Sequence, residues 1–107
     1  MTGLRPLDVV LAGVPVGESL DPRYCIVAAV GPGTWVKVVP CSSQFDLYRE
    51  GADLPFRREH PDFPATGFRK ESYAIDGPVV EVEQSQVKRR YGRLEGEFAA
   101  AFLRWLV

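Results

Sequence analysis

The sequence predicts a mainly β fold, a small and strongly bent barrel with a C-terminal α-helix. Two apolar runs of strand length, 24–30 and 34–40, flank a Gly-Pro-Gly turn, which is the pattern of a β-hairpin. Other short runs of β-type residues lie on both sides of this hairpin. Near the C-terminus the apolar residues recur at the spacing of an α-helix. Five to seven short strands followed by one helix favour a barrel that the helix caps.

The predicted elements follow from apolar spacing and from the positions of glycine and proline. The hairpin strands are apolar on both faces over much of their length, as expected of the central strands of a small barrel. Leu94, Phe98, Phe102 and Trp105 recur at helical spacing. Outside the hairpin we predict strands at 7–12, 54–56, 72–75 and 79–87 with a register slip near Gln84, loops at 17–22 and 59–67, and a helix at 94–106.

Length and composition predict one domain spanning 1–107. A chain of 107 residues can bury a modest core, and 46% apolar with 25% charged residues is ordinary for a globular protein. No run approaches the roughly 20 apolar residues of a membrane span, and the N-terminal residues do not form a signal peptide. We therefore expect a cytoplasmic protein with no membrane contact.

The cysteines and the single histidine do not suggest catalysis or a metal site. We expect Cys25 and Cys41 to be reduced, buried thiols, although neighbours on paired strands could lie close enough to bridge. Their spacing and the lone His60 are not typical of zinc ligands. We expect His60 to be a solvated loop residue, and we expect no metal and no cofactor.

The aromatic residues leave several options open. Trp35 and Trp105 are expected in the core or at an interface. An exposed tyrosine could stack on an unpaired base, and nothing in the sequence selects one. The candidates are Tyr24, Tyr48, Tyr73 and Tyr91.

The polar ends of the hairpin form the main functional candidate. Pairing the two runs across the turn brings Arg23 to the same end as Ser42, Ser43 and Gln44. An arginine and hydroxyl groups at one end suit a phosphate site. Each side chain also has a simpler interpretation, since arginine can solvate a strand end and serines can form a turn.

Basic residues are clustered although the net charge is −1. A run formed by Lys88, Arg89, Arg90 and Arg93 and the pairs at 57–58 and 69–70 could hold phosphates if folding gathers some of them on one face. The alternative is a solvated, basic strand end and loop.

The order Arg23, apolar strand, Gly-Pro-Gly turn, apolar strand and Val39-Pro40-Cys41-Ser42-Ser43-Gln44 resembles the MazF/PemK family of toxin endoribonucleases. Weaker similarity continues through the Thr66-Gly67 segment and the Arg-Arg and Gly-Arg-Leu that precede the predicted helix. The chain departs from the family pattern in placing Pro22 before the arginine and in having Ser42 in place of a threonine.

The resemblance implies an SH3-like barrel of the MazF/CcdB type that forms a homodimer and partners a cognate antitoxin. It also implies metal-independent cleavage of single-stranded RNA, in which the ribose 2′-hydroxyl attacks the adjacent phosphate. Arg23 would neutralise charge on the phosphoryl oxygens, and Ser42 would hold a phosphate oxygen or assist proton transfer. The other residues expected to contact RNA are Ser43, Gln44, Arg69, Lys70, Lys88 and Arg89.

The general base is not identified by the sequence. Glu18 and Asp21 are the carboxylates nearest to Arg23 along the chain and are expected to be solvated or paired with it. A mechanism with two histidines is excluded, because the chain has only one. Two alternatives to an endoribonuclease remain: a non-catalytic module of the same fold that binds a protein, and one that binds RNA without cleaving it.

Overall fold

A computed structural model describes residues 1–107 and contains seven strands and two α-helices. The strands are β1 (Asp8–Val16), β2 (Ser19–Val30), β3 (Trp35–Ser42), β4 (Leu54–Phe56), β5 (Ser72–Ala74), β6 (Val80–Glu83) and β7 (Val87–Arg93). The helices are α1 (Phe63–Thr66) and α2 (Gly96–Leu106), and 3-10 turns lie at Phe45–Leu47 and Gln84–Gln86.

The strands form one curled antiparallel sheet in the order β4-β5-β3-β2-β1-β7, and β6 also pairs with β3. Two strands, β5 and β6, therefore pair with different parts of one edge of β3. Its first residues, from Trp35 to Val38, pair with β6, whereas Cys41 and Ser42 pair with β5. This arrangement confirms the predicted fold class, a small SH3-like β-barrel with a C-terminal helix.

The predicted hairpin is confirmed as β2 and β3, and both of its faces are buried. The register pairs Cys25 with Pro40 and Ile26 with Val39. Because successive strand residues point to opposite faces, Ile26 and Val39 pack in one core cluster with Phe102 of α2, while Cys25 packs in a second cluster on the other face. The barrel thus has apolar packing on both sides of its central strands.

The prediction of a loop at 17–22 is wrong, because β1 and β2 continue as a paired arm on either side of a turn at Gly17 and Glu18. Beyond Ala12, β1 has no partner except β2, so both edges of the arm are open there. Proline lacks a backbone N–H and is tolerated on such edges. Pro15 and Pro22 therefore lie within strands.

The single strand predicted at 79–87 is divided in the structure. Val80–Glu83 pairs with β3, the chain turns at Gln84–Gln86, and Val87–Arg93 pairs with β1. The turn falls where the sequence predicted a register slip. The basic run from Lys88 to Arg93 consequently lies within β7 and not in a strand end and loop.

The loop predicted at 59–67 contains the short helix α1, so this prediction is wrong in part. Pro64 lies in its first turn, where a missing N–H does no harm, and Gly67 ends it with a φ of 75°. His60 is also not simply solvated. Its side chain is 24% exposed and its ring stacks on Phe98 with 4.3 Å between ring centroids.

The C-terminal helix begins two residues later than predicted, at Gly96. Phe98 and Phe102 of its apolar face are buried, and Leu94 is buried just before its start. Trp105 is half-buried and its indole N–H donates to the Ala52 carbonyl oxygen at 2.7 Å. Trp35, by contrast, is 51% exposed and is not a core residue. Neither helix has the length and the apolar composition that a membrane-spanning helix needs.

Candidate functional site

A groove of about 850 Å³ lies at the end of the hairpin where β2 begins and β3 ends. The register pairs Cys25 with Pro40, so Arg23 and Ser42 lie two residues further along their strands at the same end. Because β5 pairs with this end of β3, the residues just before β5 also reach the groove. Of the predicted site residues, those lining the groove are Arg23, Ser42, Ser43, Gln44, Arg69 and Lys70.

Ser42 lines the groove, and its hydroxyl proton has no hydrogen-bond acceptor within the chain. Its Oγ accepts the backbone N–H of Gln44 at 3.1 Å. A hydroxyl has one proton to donate in addition to its acceptor sites. Since the backbone N–H occupies an acceptor site, the Ser42 proton remains available to an oxygen of a bound anion.

The cations of the groove outnumber its acidic groups. Asp21 is the one carboxylate in the lining, and it lies 3.6 Å from the Arg23 guanidinium, both side chains being about half exposed. An exposed pair of this kind contributes little stability, so Arg23 can exchange Asp21 for a ligand. No carboxylate lies within 4.0 Å of the side-chain nitrogens of Arg69 or Lys70. The groove is therefore suited to an anion.

Two tyrosines form the wall that connects the groove to β7. Tyr24 lines the groove, and its ring lies 4.7 Å from that of Tyr91 and 5.9 Å from that of Phe68. Burial and the neighbouring Tyr91 raise the pKa of Tyr24, against the opposing effect of Arg69 and Arg89. Tyr24 is thus a protonated hydrogen-bond donor at neutral pH.

The two basic residues predicted from β7 are placed differently from the others. The Arg89 guanidinium lies 5.2 Å from the centre of the Tyr91 ring and does not line the groove. The Lys88 ammonium donates to the Ser85 carbonyl oxygen at 3.1 Å and does not line the groove. The structure brings six of the eight predicted residues together, sets Arg89 beyond them and leaves Lys88 apart.

A smaller cavity of about 310 Å³ adjoins the groove and shares Arg23, Ser42 and Gln44 with it. Sequence reasoning missed this cavity. Tyr73, one of the four tyrosines considered, lines it, but no pattern distinguished that tyrosine from the others. The further lining residues are Leu47, Arg49, Asp53 and Ile75.

Both cysteines are unreactive thiols. They are free and buried, and they pack in different core clusters on opposite sides of the sheet, so they do not form the bridge that adjacent strands might have allowed. Burial raises the pKa of Cys25 to about 12 and that of Cys41 well above 9.0. Because the thiolate is the nucleophile, neither residue can supply one at neutral pH.

The structure contains no cluster of three or more His, Cys, Asp or Glu side chains that could hold a metal ion. No protein-family model matches the chain, and no curated protein matches it by sequence. The function is therefore inferred from the chemistry of the groove.

Proposed function

We propose that the protein is an endoribonuclease similar to the MazF/PemK toxins and that it cleaves single-stranded RNA in the groove. The observation that supports this best is the placement of Arg23 and Ser42 side by side, with Arg69 and Lys70 on the same surface. A guanidinium and a hydroxyl proton can together hold one phosphate, and two further cations can hold its neighbours along a strand.

In the proposed reaction the ribose 2′-oxygen forms a bond to phosphorus and the bond to the 5′-oxygen of the next nucleotide breaks. Negative charge builds on the non-bridging oxygens, where the Arg23 fork and the Ser42 proton stabilise it. Because the groove is open, water takes the proton of the 2′-hydroxyl and returns one to the leaving 5′-oxygen. The products are a 2′,3′-cyclic phosphate and a 5′-hydroxyl.

The test is cleavage of mixed-sequence single-stranded RNA in the presence of a chelator, with the end groups of the products identified. We expect Arg23→Ala to lower the rate by about 10²- to 10³-fold, as for loss of one charge-stabilising donor. Arg104→Ala is the matched control, since Arg104 is an exposed arginine of α2 outside the groove. Wild-type protein that leaves the RNA intact, or equal rates for Arg23→Ala and wild type, would contradict the proposal.

Binding of RNA without cleavage is the second candidate. It is favoured by the scarcity of carboxylates in the groove, since the one that lines it, Asp21, is paired with Arg23 when no ligand is bound. RNA binding by the wild type with no product in the assay above would support it. Cleavage would exclude it.

The same family resemblance leads us to propose a homodimer and a cognate antitoxin as partners. Trp35, 51% exposed at the start of β3, is available to such contacts. A monomer's mass for the purified chain in sedimentation would contradict the dimer. A toxicity that the product of the adjacent gene does not relieve would contradict the antitoxin.

A further inference from the structure

The smaller cavity beside the groove has a composition that suits a nucleobase. We propose that it binds the base of one nucleotide next to the cleaved bond and thereby sets the sequence preference of the enzyme. The inference builds on the endoribonuclease function proposed above. It concerns a different set of side chains, because Leu47, Tyr73 and Ile75 line the smaller cavity and not the groove.

The position of the two cavities follows the covalent structure of RNA. Arg23, Ser42 and Gln44 belong to both, so the residues that would hold the phosphate lie at their junction. A phosphodiester joins two nucleosides. A phosphate held at the junction therefore directs one nucleoside toward the groove and the other toward the smaller cavity. At about 310 Å³ the cavity is at the lower end of the usual range for ligand pockets, which suits a single base.

Apolar side chains form part of the cavity wall. Leu47 follows β3 in a 3-10 turn and is 63% exposed, so its side chain is open to a ligand. Ile75 is half-buried, and Tyr73 is buried, with its hydroxyl donating to the Gln44 carbonyl oxygen at 3.0 Å. The Tyr73 ring is held edge-on by Phe45, with 5.1 Å between ring centroids. Leu47 and Ile75 therefore offer a base an apolar surface, and the buried Tyr73 ring lies at the same cavity.

Polar groups that line the same cavity can distinguish one base from another. The Arg49 guanidinium donates hydrogen bonds to the Asp53 carboxylate through Nε and through Nη2, the latter at 3.0 Å. Nη2 also donates to the Asp76 carbonyl oxygen at 2.9 Å. The Nη1 group has no partner within the chain and is held in position by these bonds. The Gln44 side-chain amide also makes no hydrogen bond within the chain. A fixed donor and a free amide can form hydrogen bonds with the polar edge of one base and leave another base without partners.

The first test is the distribution of cleavage sites on random-sequence RNA. We expect wild type to prefer one base at a position adjacent to the cut. We expect Leu47→Ser to lower that preference by roughly tenfold while cleavage continues, the effect of removing a surface on which one base packs. Leu103→Ser is the matched control, because Leu103 is a similarly exposed leucine on α2. An unchanged site distribution for Leu47→Ser overturns the inference and leaves the endoribonuclease proposal standing.

The second test separates base binding from cleavage. A 2′-O-methyl dinucleotide has one phosphate and cannot be cleaved, and NMR detects where it binds. We expect the methyl signals of Leu47 and Ile75 to shift, and we expect these shifts to disappear when the base on one side is replaced by a hydrogen. Signals that move only around Arg69 and Lys70 overturn the inference. Methyl shifts in a protein that cleaves no RNA would support the base pocket and contradict the nuclease.

Discussion

Asp53 is a buried carboxylate that holds one wall of the smaller cavity in place. Its oxygens accept the backbone N–H and the guanidinium of Arg49, and also the backbone N–H of Asp76 at 2.7 Å. Burial opposes ionisation, but these hydrogen bonds outweigh it and lower the pKa of Asp53 below its ordinary value of 3.8. The folded protein therefore favours the charged form of this group.

We predict that Asp53→Asn lowers the free energy of unfolding at neutral pH by about 2 kcal/mol, the usual worth of a buried hydrogen bond to a charged group. A depressed pKa contributes stability above the ordinary value of 3.8 and loses it as the pH falls through the folded-state value. The difference between wild type and variant should thus shrink in acid denaturation below about pH 4.

Urea titrations at several pH values measure this effect. Asp46→Asn is the control, because Asp46 is exposed and makes no hydrogen bond through its side chain. A constant difference between Asp53→Asn and wild type at all pH values would show that the charge of Asp53 does not matter.

At the scale of elements, α1 and β7 approach each other more closely than side chains would permit. A Cβ atom at Gly92 would lie 2.3 Å from the Ala65 carbonyl oxygen, and one at Gly67 would lie 2.3 Å from that of Tyr91. The backbone of α1 thus rests directly on β7. Arg69 and Lys70 follow α1 by a few residues, so this contact positions two cations of the groove.

We predict that Gly92→Ala lowers the free energy of unfolding by about 3 kcal/mol, because an overpacked backbone contact cannot relax locally. RNA binding should weaken as well, since displacement of α1 would move Arg69 and Lys70. Gly77→Ala is the matched control, because no atom lies within 4 Å of a Cβ there. Chemical denaturation checks the stability, and equal values for the two variants would contradict the close contact.

At the scale of the whole molecule, charge is segregated. The net charge is −1, whereas the groove lining contains Arg23, Arg69 and Lys70 against one carboxylate. The proposed attraction of RNA should therefore be local to the groove and should depend strongly on salt.

We predict that the double variant Arg69→Ala/Lys70→Ala reduces the slope of log Kd against log salt concentration by about 1.4, which is about 0.7 for each single-strand phosphate that the protein no longer neutralises. Fluorescence anisotropy with an uncleavable 2′-O-methyl oligonucleotide measures the slope. The pair Lys37→Ala/Arg104→Ala removes the same charge from exposed residues outside the groove and should leave the slope near the wild-type value. Equal slopes for the two double variants would place the RNA elsewhere.

The local sequence was sufficient for the hairpin and for the meeting of Arg23 with Ser42. Two apolar runs on either side of a short turn predict an antiparallel hairpin, so the far ends of its strands must meet, although an irregularity between Val27 and Ala29 shifts the exact register by one residue. The short edge strand at 54–56 and the terminal helix were also predictable, because each has a clear period of its own.

Only the tertiary structure decided the rest of the site. Arg69 and Lys70 reach the groove because β5 pairs with the end of β3. Leu47 and Ile75 line one cavity because the 3-10 turn packs Phe45 against Tyr73 of β5. The structure also decided that β1 and β2 stay paired as far as Ser19. It likewise decided that β6 pairs with β3 whereas β7 pairs with β1. Pairing between segments that are distant in the chain, such as β3 with β5, is selected by packing across the whole sheet and is not specified by the local sequence.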